Sequence, residues 1–240
     1  MRLSRSDPDP LDPGPPGFAH RGMHGPGVPE NSLAAFEEAI RIGAGIECDV
    51  RLSGSGSAVV FHDSNLVRMC DAALEVERTP TALLSCQRLH DSGEFIPTLF
   101  ELLDLVRGEV PLLIEVKTHD GNAGPLCTEV AYDLAPMSGP VGVMSFDPQV
   151  GLWLRRNAPH IRRGLVVRHD LPFLKRRSAL LMAGPQFLAV DCGALHQSWV
   201  TRARKRMPVY TWTVRTPAER AQAEVQADSL IWEGDGRPRS

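Results

Sequence analysis

The chain has 240 residues, 42% of them apolar and 23% charged, proportions that exclude a disordered or fibrous protein. Its 26 Lys and Arg against 29 Asp and Glu leave a net charge of −3, which excludes a broadly basic nucleic-acid binder. No apolar run approaches the ~18 residues of a membrane span, and five dispersed cysteines without a C-x-x-C pair argue against a disulfide framework or a zinc ribbon. The start, MRLSRSDPDPLDPGPP, carries two arginines with no apolar core behind them, so it does not read as a signal peptide. A cytoplasmic globule is the expectation.

Five prolines within residues 1–16 forbid a helix or a ladder there, and the segment reads as a flexible lead-in to one domain over 17–240. From residue 17, short apolar runs alternate with amphipathic stretches, the pattern of βαβ units. Strands are expected at 17–20, 45–51, 111–117, 141–145, 164–168, 187–191, 208–213 and 228–232. Helices are expected near 31–42, 98–107, 125–135, 148–157, 171–182, 198–206 and 217–226. Asn31 or Ser32 can cap the first helix, whose Leu33, Phe36 and Ile40 share a face. Eight strands and seven helices predict an α/β fold, a (β/α)8 TIM barrel; no eighth helix is visible after residue 232.

One run breaks the alternation. AVVFHD (58–63) reads as a strand, yet only residues 53–57 separate it from the strand before. A parallel crossover needs a dozen residues, so the two runs can only form an antiparallel hairpin, inserted after the second barrel strand. That hairpin rises above the mouth and returns His62 toward it. Residues 64–96 show weak periodicity and carry no assignment.

Strand alternation places the chemistry. Ile46, Cys48 and Val50 face one way and Glu47 and Asp49 the other; Leu112, Ile114 and Val116 oppose Glu115 and Lys117. In a barrel the apolar side meets the helices, so Glu47, Asp49 and Glu115 converge inside near the strand C-termini. Three ionised carboxylates there repel one another unless a cation joins them, and oxygen-only ligation favours Mg²⁺ or Ca²⁺. The competing reading is a structural ion pair with Lys117. His20 and Arg21 end the first strand, where a barrel builds its site. Two histidines, an arginine, a lysine and a carboxylate-bound metal make a phosphodiester-cleaving inventory.

The blocks AHRG (19–22), PENS (29–32), IECDV (46–50), VVFHD (59–63), IPTLFELL (96–103), LLIEVK (112–117), SF (145–146) and WTV (212–214) follow one another along the chain. In that order they resemble the glycerophosphodiester phosphodiesterase family from about residue 17 to 233. The resemblance implies a TIM barrel that hydrolyses a small-molecule glycerophosphodiester to an alcohol and sn-glycerol 3-phosphate with a divalent cation. It implies His20 and His62 as the acid–base pair, Arg21 and Lys117 on phosphate, and Glu47, Asp49 and Glu115 on the metal. Glu30 and Trp212 match positions that line the family's pocket. The chain departs from the family pattern at Arg68-Met69-Cys70, which bears on alcohol-side recognition, and at Trp232-Glu233-Gly234-Asp235, in the last loop.

A lysophospholipase D acting on lipid esters and a non-catalytic phosphate-binding barrel are the rival readings. Segments 18–30, 118–124 and 214–218 hold few large apolar residues, so a water-soluble substrate and no stable membrane association are expected. The exception is 171–182, where Leu171, Phe173, Leu174, Leu180 and Leu181 surround a basic run. It reads as a packed barrel helix, with membrane contact as the competing reading. Lys175-Arg176-Arg177 and Arg202 to Arg206 read as solvated helix faces.

Overall fold

The computed structural model describes residues 9–119, 121 and 123–238. Among the described residues nine strands, β1 (Phe18–His20), β2 (Gly45–Leu52), β3 (Ala58–Val60), β4 (Leu112–Val116), β5 (Val141–Ser145), β6 (Arg162–Val167), β7 (Phe187–Asp191), β8 (Val209–Val214) and β9 (Ser229–Trp232), form one sheet. All but β3 are parallel and close on themselves, β1 pairing with both β2 and β9, into an eight-stranded barrel. The helices are α1 (Leu33–Arg41), α2 (Val67–Cys70), α3 (Thr81–Leu84), α4 (Leu99–Val106), α5 (Ala123–Leu134), α6 (Pro148–Asn157), α7 (Phe173–Ala183), α8 (Ser198–Arg204) and α9 (Pro217–Gln226). Seven of them, all except α2 and α3, are the barrel helices. After β9 only a short 3₁₀ turn, Gly234–Gly236, follows among the described residues.

Local chemistry sets the helix starts. Ser32 caps α1 by accepting the Ala35 amide at 3.2 Å, a contact worth about 1 kcal/mol. Thr98 with Glu101 and Thr216 with Glu219 form reciprocal capping boxes on α4 and α9. Pro148 and Pro217 open α6 and α9, where a missing N–H costs no helical bond.

Alternation along the strands sorts side chains into two layers. Ile46, Cys48, Ile114, Leu165, Leu188 and Val190 point outward into the core shared with the helices. Phe18, Leu113, Phe187, Tyr210 and Ile231 point inward and fill the lower half of the barrel. Leu11, 1% exposed, inserts among them from below. Gly142 makes room for it, since a Cβ there would lie 2.6 Å from Leu11 Cδ1. Residues 1–8 lie outside the described residues, but from Asp9 the proline-rich lead-in is packed rather than free. Asp9 reaches Arg162 at 2.6 Å and accepts the Tyr210 hydroxyl at 2.5 Å. One leucine and one aspartate of the lead-in thus close the barrel's base.

The hairpin is present, β3 running antiparallel to β2 with Val50 opposite Val60; its tip Gly56 adopts φ +92°, which favours glycine. The unassigned stretch 64–96 folds into a satellite lobe around Val59, Phe61, Leu66, Met69, Leu84 and Ile96. Its spaced apolar residues follow no single period because they come from short turns. Arg51 ties the lobe down, donating to the His62 carbonyl at 2.7 Å and pairing with Glu77 at 2.7 Å. Helix α7 is less packed than a barrel helix should be. Only Ala183 is buried. No helix among the described residues is long and apolar enough to cross a membrane.

Candidate active site

β1, β2 and β4 are adjacent, and their register puts His20 beside Glu47 and Asp49 beside Glu115. Glu47, Asp49 and Glu115 are 1%, 1% and 7% exposed, and one oxygen from each lies within 4.8 Å of the others. Two cations answer them in part. Lys117 Nζ sits 3.0 Å from Asp49 Oδ1 and also donates to Glu115; Arg21 Nε sits 3.1 Å from Asp49 Oδ2. Burial works against ionised Asp49, yet Lys117 and Arg21 hold its carboxyl well below the usual range. Glu47 receives the Arg21 amide at 3.2 Å, and burial, then Asp49 and Glu115, push its carboxyl well above that range. Glu115 is also raised, by burial, despite Lys117. An oxygen-only, buried donor set short of positive charge fits a hard divalent cation.

The loop after β1 adds the next shell. Arg21 takes φ +56°, which turns its guanidinium between Asp49 and Glu30, the latter at 2.7 Å. Asn31, also at φ +56° and 2% exposed, donates its amide to Asp49 Oδ2 at 3.0 Å. Arg68 of α2 forks onto both oxygens of Glu30 at 2.6 and 3.1 Å and reaches Asp63 at 2.6 Å. Asp63 in turn holds His62 Nδ1 at 2.6 Å. Burial lowers the His62 pKa, with Asp49 acting in the opposite direction. The departure at Arg68 is thus the clamp that ties the inserted lobe to the mouth.

The residue just after the last strand supplies the remaining partner. Glu233 Oε2 lies 2.6 Å from His20 Nδ1 and 3.7 Å from His24 Nε2, while Oε1 takes Arg215 at 2.6 Å. Burial opposes its charge, but His20 and the neighbouring donors keep its carboxyl well below the usual range. Burial lowers His20 below its ordinary value even with Glu233 attached. Trp212 of β8 donates to the Ala189 carbonyl at 3.0 Å and meets Phe146 edge-on at 5.4 Å. Phe146 lies under Lys117, 5.6 Å from the ring centroid.

All nine residues singled out from the sequence therefore stand at or around the mouth. Asn31, Asp63, Arg68, Phe146 and Glu233 were not singled out as site residues. Asn31 and Asp63 adjoin chosen residues in PENS and VVFHD, so neighbourhood in a motif was an available signal. Arg68 and Glu233 lay within the two departures from the family pattern, but the pairing of Glu233 with His20 comes from a strand two hundred residues away and has no local signature.

Comparison with known proteins agrees with this geometry. The model of the glycerophosphoryl diester phosphodiesterase family matches residues 20–233. A glycerophosphodiester phosphodiesterase of Caldanaerobacter subterraneus is 36% identical over 113 residues, 43% of this chain and 45% of that protein. A Bacillus subtilis protein with a provisional name of the same activity is 28% identical over 88% of this chain and 89% of its own. The fold of an Oleispira antarctica phosphodiesterase, solved with sn-glycerol-3-phosphate, superposes with a TM-score of 0.81 at 24% identity, covering 91% of this chain and 92% of that one. With the barrel, the mouth and a match from His20 to Glu233, the chain belongs to the glycerophosphoryl diester phosphodiesterase family.

Proposed function

We propose that the chain hydrolyses glycerophosphodiesters to an alcohol and sn-glycerol 3-phosphate, with His20 and His62 exchanging protons. The observation that carries this reading is the pairing of each histidine with a carboxylate through Nδ1, at 2.6 Å in both cases. An ionised carboxylate only accepts, so each Nδ1 carries hydrogen and donates it, leaving Nε2 as the working nitrogen. His20 Nε2 faces the carboxylate cluster, 4.0 Å from Glu47. Burial lowers its pKa and so favours the neutral imidazole, the form a base needs.

His20 Nε2 takes the proton of the glycerol 2-hydroxyl as that oxygen attacks phosphorus. The bond from phosphorus to the alcohol oxygen breaks, and His62, starting as imidazolium with its Nδ1–H on Asp63, gives its Nε2 proton to the departing alcohol. Water then opens the cyclic phosphodiester with the two roles reversed, which returns both histidines to their starting states. Arg21 and Lys117 hold phosphoryl oxygens, and Glu30 fixes Arg21 for that task. Glu47, Asp49 and Glu115 would hold Mg²⁺ or Ca²⁺, which supplies charge neutralisation at the phosphoryl oxygens. Trp212 and Phe146 wall the opposite side. Glu233 keeps His20 in the tautomer the first step needs.

The experiment is release of sn-glycerol 3-phosphate from glycerophosphocholine, read through a coupled dehydrogenase. Release by the wild type and its loss in Glu115→Gln support the reading. A folded, metal-supplemented wild type that binds the diester but never releases product would make it a binding barrel instead.

A further inference from the structure

Helix α7 presents apolar side chains to solvent. Phe173, Leu174, Leu181 and Met182 are 62%, 75%, 71% and 38% exposed. At 3.6 residues per turn, Leu174 and Leu181 fall within about 20° of one another, at the centre of the outward arc. Exposed Lys175 and Arg177 flank them, and the helix has no acidic residue. The inward arc, Ala179, Leu180 and Ala183, packs on the barrel, and Arg176 covers the Trp199 ring of α8 at 4.3 Å. The barrel therefore uses one side of the helix and leaves an apolar centre with basic borders on the other.

Charge around this face is one-sided. From Leu171 to Arg206 the chain carries seven Lys and Arg against one acidic residue, Asp191, a local charge of +6 in a protein of −3. Arg202, Lys205 and Arg206 are exposed on and just after α8 and, like Lys175 and Arg177, have no ion-pair partner among the described residues. Barrel helices start at the mouth, so Phe173 and Leu174 stand on the same rim as Phe146, itself 40% exposed.

We propose that the outward face of α7, continued by the basic strip of α8, docks on an anionic lipid surface. Leu174 and Leu181 enter the headgroup layer, and the Lys and Arg borders meet lipid phosphates, the arrangement of an interfacial helix. A nucleic acid would use the charges and leave the leucines in water. A twofold copy would set Arg177 and its basic neighbours against like charge. Docking places the rim of the mouth at the bilayer edge. The inference rests on this helix pair and is independent of the reaction proposed for the mouth.

The test is cosedimentation of the full chain with phosphatidylglycerol/phosphatidylcholine vesicles and with phosphatidylcholine vesicles, alongside glycerophosphocholine turnover in solution. Expected is binding to the anionic vesicles alone, weakened by salt. In Leu174→Asp/Leu181→Asp binding should fall about tenfold or more, and in Lys175→Glu/Arg177→Glu comparably, with soluble turnover unchanged in both. All four positions are exposed, so the variants fold. Failure of the wild type to pellet with anionic vesicles overturns the proposal. So does binding indifferent to the leucine pair, which would describe a polyanion site, or a concentration-dependent dimer abolished by that pair.

Discussion

The two ends of the barrel interior both bury charge, and they balance it differently. At the base, Asp9 faces Arg162 at 2.6 Å, and Tyr210 completes the set with a neutral hydroxyl. One negative group meets one positive group, and apolar Phe18, Phe187 and Leu11 seal it. At the mouth, Glu47, Asp49 and Glu115 share Arg21 and Lys117, and neither cation forms an ion pair with Glu47 among the described residues. Both clusters are deep, so burial does not tell them apart. The missing positive charge does. A balanced cluster needs no further ion when the chain folds, whereas an unbalanced one is stable only with something else present or with a carboxyl protonated.

Removing that something else should have the largest effect. Exhaustive chelation should abolish turnover, and Mg²⁺ or Ca²⁺ should restore it; full activity after chelation would erase the contrast between the two ends. Next come His20→Ala and His62→Ala, each expected to lower kcat by about 10²–10⁴, measured at saturating substrate. Glu233→Gln should lower kcat by on the order of tenfold with KM little changed, and Glu233→Asp should recover part of it. A KM effect alone would mean that Glu233 serves binding rather than the His20 tautomer. His24→Ala should be close to silent, since its 3.7 Å approach to Glu233 duplicates what Arg215 provides at 2.6 Å.

The base should behave in the opposite sense. Leu11→Ala should cost about 2–5 kcal/mol of stability by leaving a cavity, with kcat/KM unchanged in denaturant-free assays. Loss of activity in parallel with stability would show that the two ends are coupled. The smallest effect is at Tyr210. Burial, then Asp9, push its hydroxyl far above the ordinary tyrosine value. The folded state keeps a proton that the unfolded chain releases above pH about 10. The stability this contributes is therefore complete below that pH and lost as pH rises past it. Tyr210→Phe should cost about 1 kcal/mol near neutrality and flatten the alkaline limb of the Tm profile.

The sequence by itself determined the barrel, because alternation of period two and 3.6 is a local property and each strand carries it unaided. It also determined that Glu47, Asp49 and Glu115 face inward, since one residue's shift would have turned Cys48 or Ile114 into the barrel. The hairpin followed from a linker too short for any crossover. The tertiary structure alone decided what depends on distant partners. Leu11 and Asp9 look like unstructured polar chain until Arg162, Tyr210 and Gly142 surround them. The lobe of residues 64–96 has no period because its core is assembled from separate turns. Glu233 becomes the partner of His20 only when β9 closes against β1, and Leu174 and Leu181 read as core residues until the barrel turns them toward solvent. Local periodicity records which way a side chain points; the closing of the chain on itself settles what it meets there.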